Sequence, residues 1–245
     1  MDESTRRYYL DAMGIQCWQL IEQSIEKVQP EAQHSAQAVA ETSVDYSTGT
    51  DAVPTSETGW SKIDGDINQC ASCQLHKSRK QSLTGRGNQS AGIMFVMLSA
   101  SPDDDETGIL CSGESEILFS KMLTAINISL NDVYITSLLK CSVPLNHTVS
   151  PKEIQSCNKY LKQQIQLVKP KLLVILGEIA IQCLMQKNLS LDEYRDMYNG
   201  VAKNEAAQQL DSVPLFVSYS PQDLILNPDN KRKAWSDLQR LQELV

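Results

Sequence analysis

From Trp60 onward, short apolar runs alternate with amphipathic stretches. GIMFVML (92–98), DVYITSL (132–138), KLLVILG (171–177) and VPLFVSY (213–219) are rich in β-branched or large apolar side chains, as expected of strands buried on both faces of a parallel sheet. Between them the spacing is helical. Ile117, Leu118, Met122, Leu123 and Ile126 share one face, and so do Ile154, Cys157, Leu161, Ile165 and Val168. Ser150-Pro151-Lys152-Glu153 places a capping serine and a first-turn proline before the second of these helices. A last helix, from about Asp229, carries Trp235, Leu238, Leu241 and Leu244. The alternation predicts an α/β fold of three layers, an open and mainly parallel sheet with helices on both faces.

The front of the chain reads differently. Residues 1–28 hold an isolated apolar set, Leu10, Met13, Ile15 and Trp18, too small to build a core and suited to meeting a partner. Residues 29–59 are rich in Ala, Ser, Thr and acids with almost no large aliphatic side chains, a composition that does not repay the entropy of ordering and predicts a disordered linker. The compact domain is expected over residues 60–245.

Charge and composition narrow the function classes. With 245 residues and a formal net charge of -8, the chain lacks the overall basic character of a freestanding nucleic-acid binder, so direct DNA binding is expected to be weak or absent. No apolar run approaches the ~18 residues of a membrane span, and the start, MDESTRRYYLDAM, lacks a signal peptide's basic-then-apolar order. A cytoplasmic location is expected, and there seven cysteines serve as metal ligands, nucleophiles or small core residues rather than a disulfide framework.

Their spacing separates them. Cys70 and Cys73 form a C-x-x-C pair before the first strand, Cys141 follows the second strand, and Cys157 sits in the next helix. Such a set can offer four thiolates to one metal centre, or Cys141 and Cys157 can be plain core residues. The wide spacing of the second pair favours an iron-sulfur cluster over zinc, which more often uses two C-x-x-C knuckles. Cys17, Cys111 and Cys183 read as small buried residues.

At these residues a resemblance becomes specific. CASCQLHKSRKQSLTGRGN, DVYITSLLKCSVPLNH, PKEIQSCNKYLKQQIQLVKPKLLVILGEIA and NPDNKRKAWSDL resemble the family-four, iron-sulfur uracil-DNA glycosylases across essentially all of residues 60–245. The resemblance implies the uracil-DNA-glycosylase fold and a 4Fe-4S cluster on Cys70, Cys73, Cys141 and Cys157. It also implies where the catalytic groups should stand, and there the chain departs. In FVMLSASPDDDETGILCSG (95–113) the family's first glycine falls on Met97, its water-activating Glu on Leu98, its second glycine on Ser101 and its uracil-stacking Phe on Cys111. The uracil-reading Asn matches Ser137, the catalytic His matches Ser220, and the DNA-contacting Arg matches Leu226. Glycosylase chemistry needs an extruded base, an edge-reading amide and help for the leaving base, so these degenerate positions predict a non-catalytic chain. The alternative is an atypical glycosylase for uracil or another deaminated base that uses Glu114, which follows Gly113 at a position where some related glycosylases carry an Asp.

RRYYLDAMGIQCW, in the order L-x-x-M-G-I-x-x-W, resembles the N-terminal segment of the psi subunit of the bacterial DNA polymerase III clamp loader. That resemblance implies Leu10, Met13, Ile15 and Trp18 as anchors on the gamma/tau collar, with Gly14 at the turn between them. It further implies a globular domain bound to the chi subunit and, through chi, linked to single-stranded-DNA-binding protein. The expected function is therefore a non-catalytic, psi-like clamp-loader subunit.

Overall fold

The computed structural model describes residues 56–199, 210 and 213–245, so the segment with Leu10, Met13, Gly14, Ile15 and Trp18 lies outside the described residues. Helix α1 (Ser56–Asn68) begins ahead of the Trp60 boundary and is followed by a short 3-10 turn, Gln74–Lys77. The order then runs β1 (Arg86–Gly87), β2 (Ile93–Met97), α2 (Pro102–Thr107), α3 (Gly113–Thr124), β3 (Tyr134–Ser137), α4 (Pro151–Val168) and β4 (Leu172–Leu176). It closes with α5 (Glu178–Met185), α6 (Leu191–Tyr198), β5 (Leu215–Ser218), α7 (Pro221–Leu226) and α8 (Lys231–Leu244).

The strands form one sheet in the order β1-β3-β2-β4-β5. Only β1 is antiparallel; β2 pairs in parallel with β3 on one edge (Phe95 opposite Ile135) and with β4 on the other (Phe95 opposite Val174). Every residue of β2, β3, β4 and β5 is buried, which requires cover on both faces. On one side α4, α5 and α6 follow one another as neighbours, and on the other α3 packs with α7 and α8. Phe95 of β2 meets Phe119 of α3 edge-on with ring centroids 5.0 Å apart, joining sheet and helix at the centre of the core. The α/β architecture and all four apolar runs agree with the sequence pattern.

The helical faces agree in most positions. Ile154, Cys157, Leu161, Ile165 and Val168 are all buried, and Ser150 caps α4 in a reciprocal box with Glu153. Ile117 and Leu244, placed on the buried faces by spacing, are instead exposed, because one lies in the second turn of α3 beside Leu118 and the other at the frayed end of α8. The acidic run Asp103–Glu106 lies within helix α2. Asp104 and Asp105 within it are buried, Asp104 accepting from the backbone N–H groups of Ser101 and Ser112 and Asp105 from those of Lys80 and Gln81. Their charge is spent on orphan backbone donors.

Three elements are locked by Asp237 of α8. Its carboxylate accepts both Arg195 Nε and Arg195 Nη2 at 2.8 Å, Ser218 Oγ at 2.8 Å and Asn199 Nδ2 at 3.2 Å, so α6, β5 and α8 share one buried knot. Replacing Asp237 with Ala removes the acceptor shared by Arg195, Ser218 and Asn199 and leaves Arg195 only its partners Asp192 and the Lys233 carbonyl, and we expect a loss of about 3 kcal/mol in urea unfolding; a loss under about 1 kcal/mol contradicts this account of the knot.

Candidate functional site

The parallel order reverses at β2, with one neighbour reached forwards through α2 and α3 and the other through α4. Ligand sites of open α/β sheets lie at the carboxyl ends of strands beside such a switch point. Here that place is a cavity of about 340 Å³, lined by Met97, Leu98 and Ser99 beyond β2, Leu176 and Gly177 after β4, and Tyr219 and Ser220 after β5. Gly177 turns the chain out of β4 at φ 95, and a Cβ there would sit 3.0 Å from Asp223 Oδ2, so a larger residue would strain the backbone and crowd the cleft. Cys111, also in the lining, is held at φ 58 with its carbonyl accepting Arg86 Nη2 at 2.8 Å; burial pushes its thiol up to about 12, so it is an unreactive wall.

The chemistry of the lining is acidic and hydroxylic. Asp104, Glu178 and Asp223 contribute carboxylates, and among the described residues no Lys, Arg or His lines the cavity. Ser220 is committed to capping α7, its Oγ donating to Asp223 Oδ2 at 2.7 Å. The Tyr219 hydroxyl donates to Asp192 at 2.9 Å. Ser99, Ser115, Asn227 and Asn230 also line the cavity, and their side chains make no hydrogen bond with the described residues.

The positions matched to the glycosylase motifs separate in space. Leu98 and Ser220 are in the cavity wall, whereas Ser137 is wholly buried with Oγ donating to the Leu139 carbonyl at 2.9 Å and does not line it. Glu114 is exposed in the first turn of α3, next in sequence to the lining residue Ser115. Leu226 is 71% exposed at the end of α7.

A second constellation lies at the sheet edge near β3. Cys70 and Cys73 are half-buried on the loop after α1, while Cys141 and Cys157 are buried. The four lie close enough to act on one another electrostatically. Burial first, then the charges of Cys157 and Cys73, pushes the Cys141 thiol up to about 11 against the pull of Arg79, and Cys157 is raised by burial and by Cys73 and Cys70 against Lys140. Burial also acts upward on Cys70, but hydrogen bonds from Tyr160 and Ser72 and the charge of Lys159 bring it below its usual value.

Among the described residues no three His, Cys, Asp or Glu side chains converge as they would on a single metal ion. A four-iron cube takes one thiolate at each iron corner, and the chemistry of this donor set, four cysteines within electrostatic reach of one another, suits such a cluster.

Beside these cysteines Lys140 is buried, its Nζ donating to Thr136 Oγ1, the Ser137 carbonyl and Gln164 Oε1 at 2.7, 2.6 and 2.7 Å. Lys140 and Arg79 escaped the sequence reading; the only signal was their place within the segments that resemble the glycosylases.

The sequence model of the uracil DNA glycosylase superfamily matches residues 84–239, more than half of the chain and all of the cavity lining. The chain belongs to the uracil-DNA glycosylase superfamily. It is 31% identical over 180 residues to a type-4 uracil-DNA glycosylase of Archaeoglobus fulgidus, covering 73% of this chain and 89% of that protein. It is also 35% identical over 120 residues to a type-4 uracil-DNA glycosylase of Pyrobaculum aerophilum, covering 49% of this chain and 61% of the relative. A weaker match, 24% over 153 residues, is to a DNA polymerase III subunit alpha of Yersinia pestis and covers 62% of this chain but only 12% of that protein.

This membership corrects three expectations. The reading as a psi-like clamp-loader subunit is overturned, because the relatives matched over the globular domain bear the names of glycosylases. With it fall the gamma/tau and chi partnerships, the link to single-stranded-DNA-binding protein and the dismissal of DNA binding. The expectation that the chain is not an enzyme is overturned by the same relatives, whose names are those of enzymes. Those expectations weighed a short N-terminal pattern and the missing motif residues above the much longer resemblance of the domain. No helix among the described residues is long and apolar enough to cross a membrane.

Behind the cavity wall, Asp192 accepts Lys233 Nζ at 2.5 Å, Arg195 Nη1 at 2.7 Å and the Tyr219 hydroxyl at 2.9 Å. Led by Lys233, these donors outweigh burial and bring its carboxyl from 3.8 down to about 2. A depressed carboxyl stabilises the fold above its unfolded value and loses that contribution as pH falls towards the folded one. Asp192→Asn should therefore cost up to about 1 kcal/mol at neutral pH, discounted for the half-exposed pair. The gap from the parent should close between about pH 4 and pH 2, read by urea unfolding across that range; a gap independent of pH refutes the assignment.

Proposed function

We infer that this chain is a DNA glycosylase, excising uracil or another deaminated base that has been extruded into the cavity at the carboxyl ends of β2, β4 and β5. What carries the reading is that the residues building this cavity fall within the stretch matched to the uracil-DNA glycosylase superfamily. The cavity volume of about 340 Å³ suits a flipped base, and Ser99, Ser115, Asn227 and Asn230 supply uncommitted hydroxyl and amide groups for its polar edge.

Leu98, Ser137 and Ser220 offer no carboxylate, amide or imidazole, so the acid must come from elsewhere. Glu114, in the first turn of α3 beside Ser115, is the carboxylate that activates water. The water oxygen bonds to C1′ of the deoxyribose and gives its proton to Glu114. The base leaves with the electron pair of the N-glycosidic bond, its charge received by the neutral donors of the wall. With no lysine, arginine or histidine lining the cavity among the described residues, leaving-group stabilisation is modest and turnover slow.

Cys70, Cys73, Cys141 and Cys157 hold a 4Fe-4S cluster, a reading supported by the all-cysteine donor set, by the electrostatic influence of these cysteines on one another and by the resemblance to the iron-sulfur glycosylases. When bound, that cluster cross-links the loop after α1 to the end of β3 and to α4 and supplies an iron-sulfur redox couple.

The reading is tested with single-stranded and duplex oligonucleotides containing one uracil, hypoxanthine or xanthine, assayed for alkali-labile sites. Base release is expected, and Glu114→Gln should lower it by about 10²-fold or more while leaving the fold intact. Absence of release from every substrate refutes the glycosylase reading; release undiminished in Glu114→Gln removes Glu114 from the mechanism.

A further inference from the structure

Arg79 stands between the 3-10 turn and β1, and its guanidinium reaches three separate parts of the cysteine constellation. Nη1 donates to Cys141 Sγ at 3.1 Å, while Nη2 donates to the carbonyl oxygens of Asn68 at 3.0 Å and Cys70 at 3.1 Å. The first acceptor lies 62 residues away beyond β3; the others are the last residue of α1 and the first cysteine of the C-x-x-C pair. Arg79 is thus a planar fork between the two halves of the four-thiol set. Among the described residues it is the one cationic side chain that hydrogen-bonds the sulfur of one of these four cysteines.

Each feature of this contact favours arginine. The guanidinium presents its donors in a fixed plane, so it can serve a sulfur from one nitrogen and two carbonyls from the other without rearranging. The Asn68 carbonyl is one of the unpaired acceptors at the C-terminal end of α1, where the helix dipole adds negative potential that a cation offsets. Lys159 and Lys140 influence Cys70 and Cys157 by charge, but Lys140 spends its donors on Thr136, Ser137 and Gln164. Hydrogen bonds to ligand sulfurs and nearby net charge are two of the levers that set an iron-sulfur centre's potential and lability.

We propose that Arg79 is a positioning residue of the four-cysteine centre, orienting the Cys141 thiolate and tying it to the C-x-x-C loop while its charge stabilises the more reduced, more negative state of the bound cluster. This rests on the assignment of a cluster to these cysteines. It is independent of which base is excised.

The full-length chain is purified without oxygen as the parent protein, Arg79→Lys and Arg79→Gln. Iron and acid-labile sulfide per chain, the rate at which visible cluster absorbance bleaches in air with a chelator, and the reduction midpoint are measured. Both variants should bleach about ten-fold faster than the parent, since a lysine can follow the sulfur or the carbonyls but not both. Arg79→Gln should have a more negative midpoint, and Arg79→Lys, which keeps the charge, should stay near the parent. Parent-like bleaching and midpoint in both variants overturn the proposal. If Arg79→Gln does not fold, the bleaching rate of Arg79→Lys decides alone, a parent-like rate again overturning it. A parent protein without iron and sulfide overturns the cluster assignment and this inference together, an outcome distinct from parent-like variants of a loaded protein.

Discussion

Parallel pairing along both edges of β2 is the constraint on which the rest of the molecule depends. A strand with hydrogen-bonded neighbours on both edges and packed layers on both faces must be apolar throughout, and all five residues from Ile93 to Met97 are buried. Parallel neighbours can be reached only by crossovers, so the chain leaves β2 through α2 and α3 to β3 and returns through α4 to β4 on the other side. The divergence of those two crossovers opens the space beyond the strand ends. The cavity is thus a consequence of topology, and its lining comes from whatever residues follow β2, β4 and β5.

Those residues have been put to work on the backbone. Ser101-Pro102 with Asp104 and Ser220-Pro221 with Asp223 are reciprocal capping boxes at the edge of the cavity, as Ser150 with Glu153 and Ser190 with Glu193 are elsewhere. A serine whose hydroxyl accepts from the N3 amide and donates to the N3 carboxylate has little left for a substrate. The same holds for Asp104 and Asp105, whose oxygens satisfy amides of neighbouring segments. The uncommitted polar side chains of the wall therefore lie outside the caps, at Ser99, Ser115, Asn227 and Asn230.

The cysteine constellation is tied into the sheet through β3. Ser137, at its carboxyl end, is turned inward to the Leu139 carbonyl, and its own carbonyl accepts Lys140 Nζ at 2.6 Å, one residue before Cys141. Thr136 takes part in the same network through Gln164 of α4, and Leu83, on the segment before β1, donates its amide to the Lys140 carbonyl at 2.8 Å.

The strands and the cap of α4 were legible in the sequence because each depends on short-range information: a run of apolar residues, a serine-proline pair. The family was legible as well, carried by segments long enough to outweigh their altered motif positions. Function was misjudged where a local substitution was taken as loss of chemistry, since a missing residue at one place says nothing of what the fold brings to that place from another. Only the tertiary structure decided that Asp104 and Asp105 lie inside, that Ile117 lies outside, that Ser137 is absent from the cleft, and that Arg79 spans 62 residues to Cys141. Those outcomes are set by which backbone donors and acceptors remain unpaired once distant segments pack, a quantity that no periodicity along the chain contains.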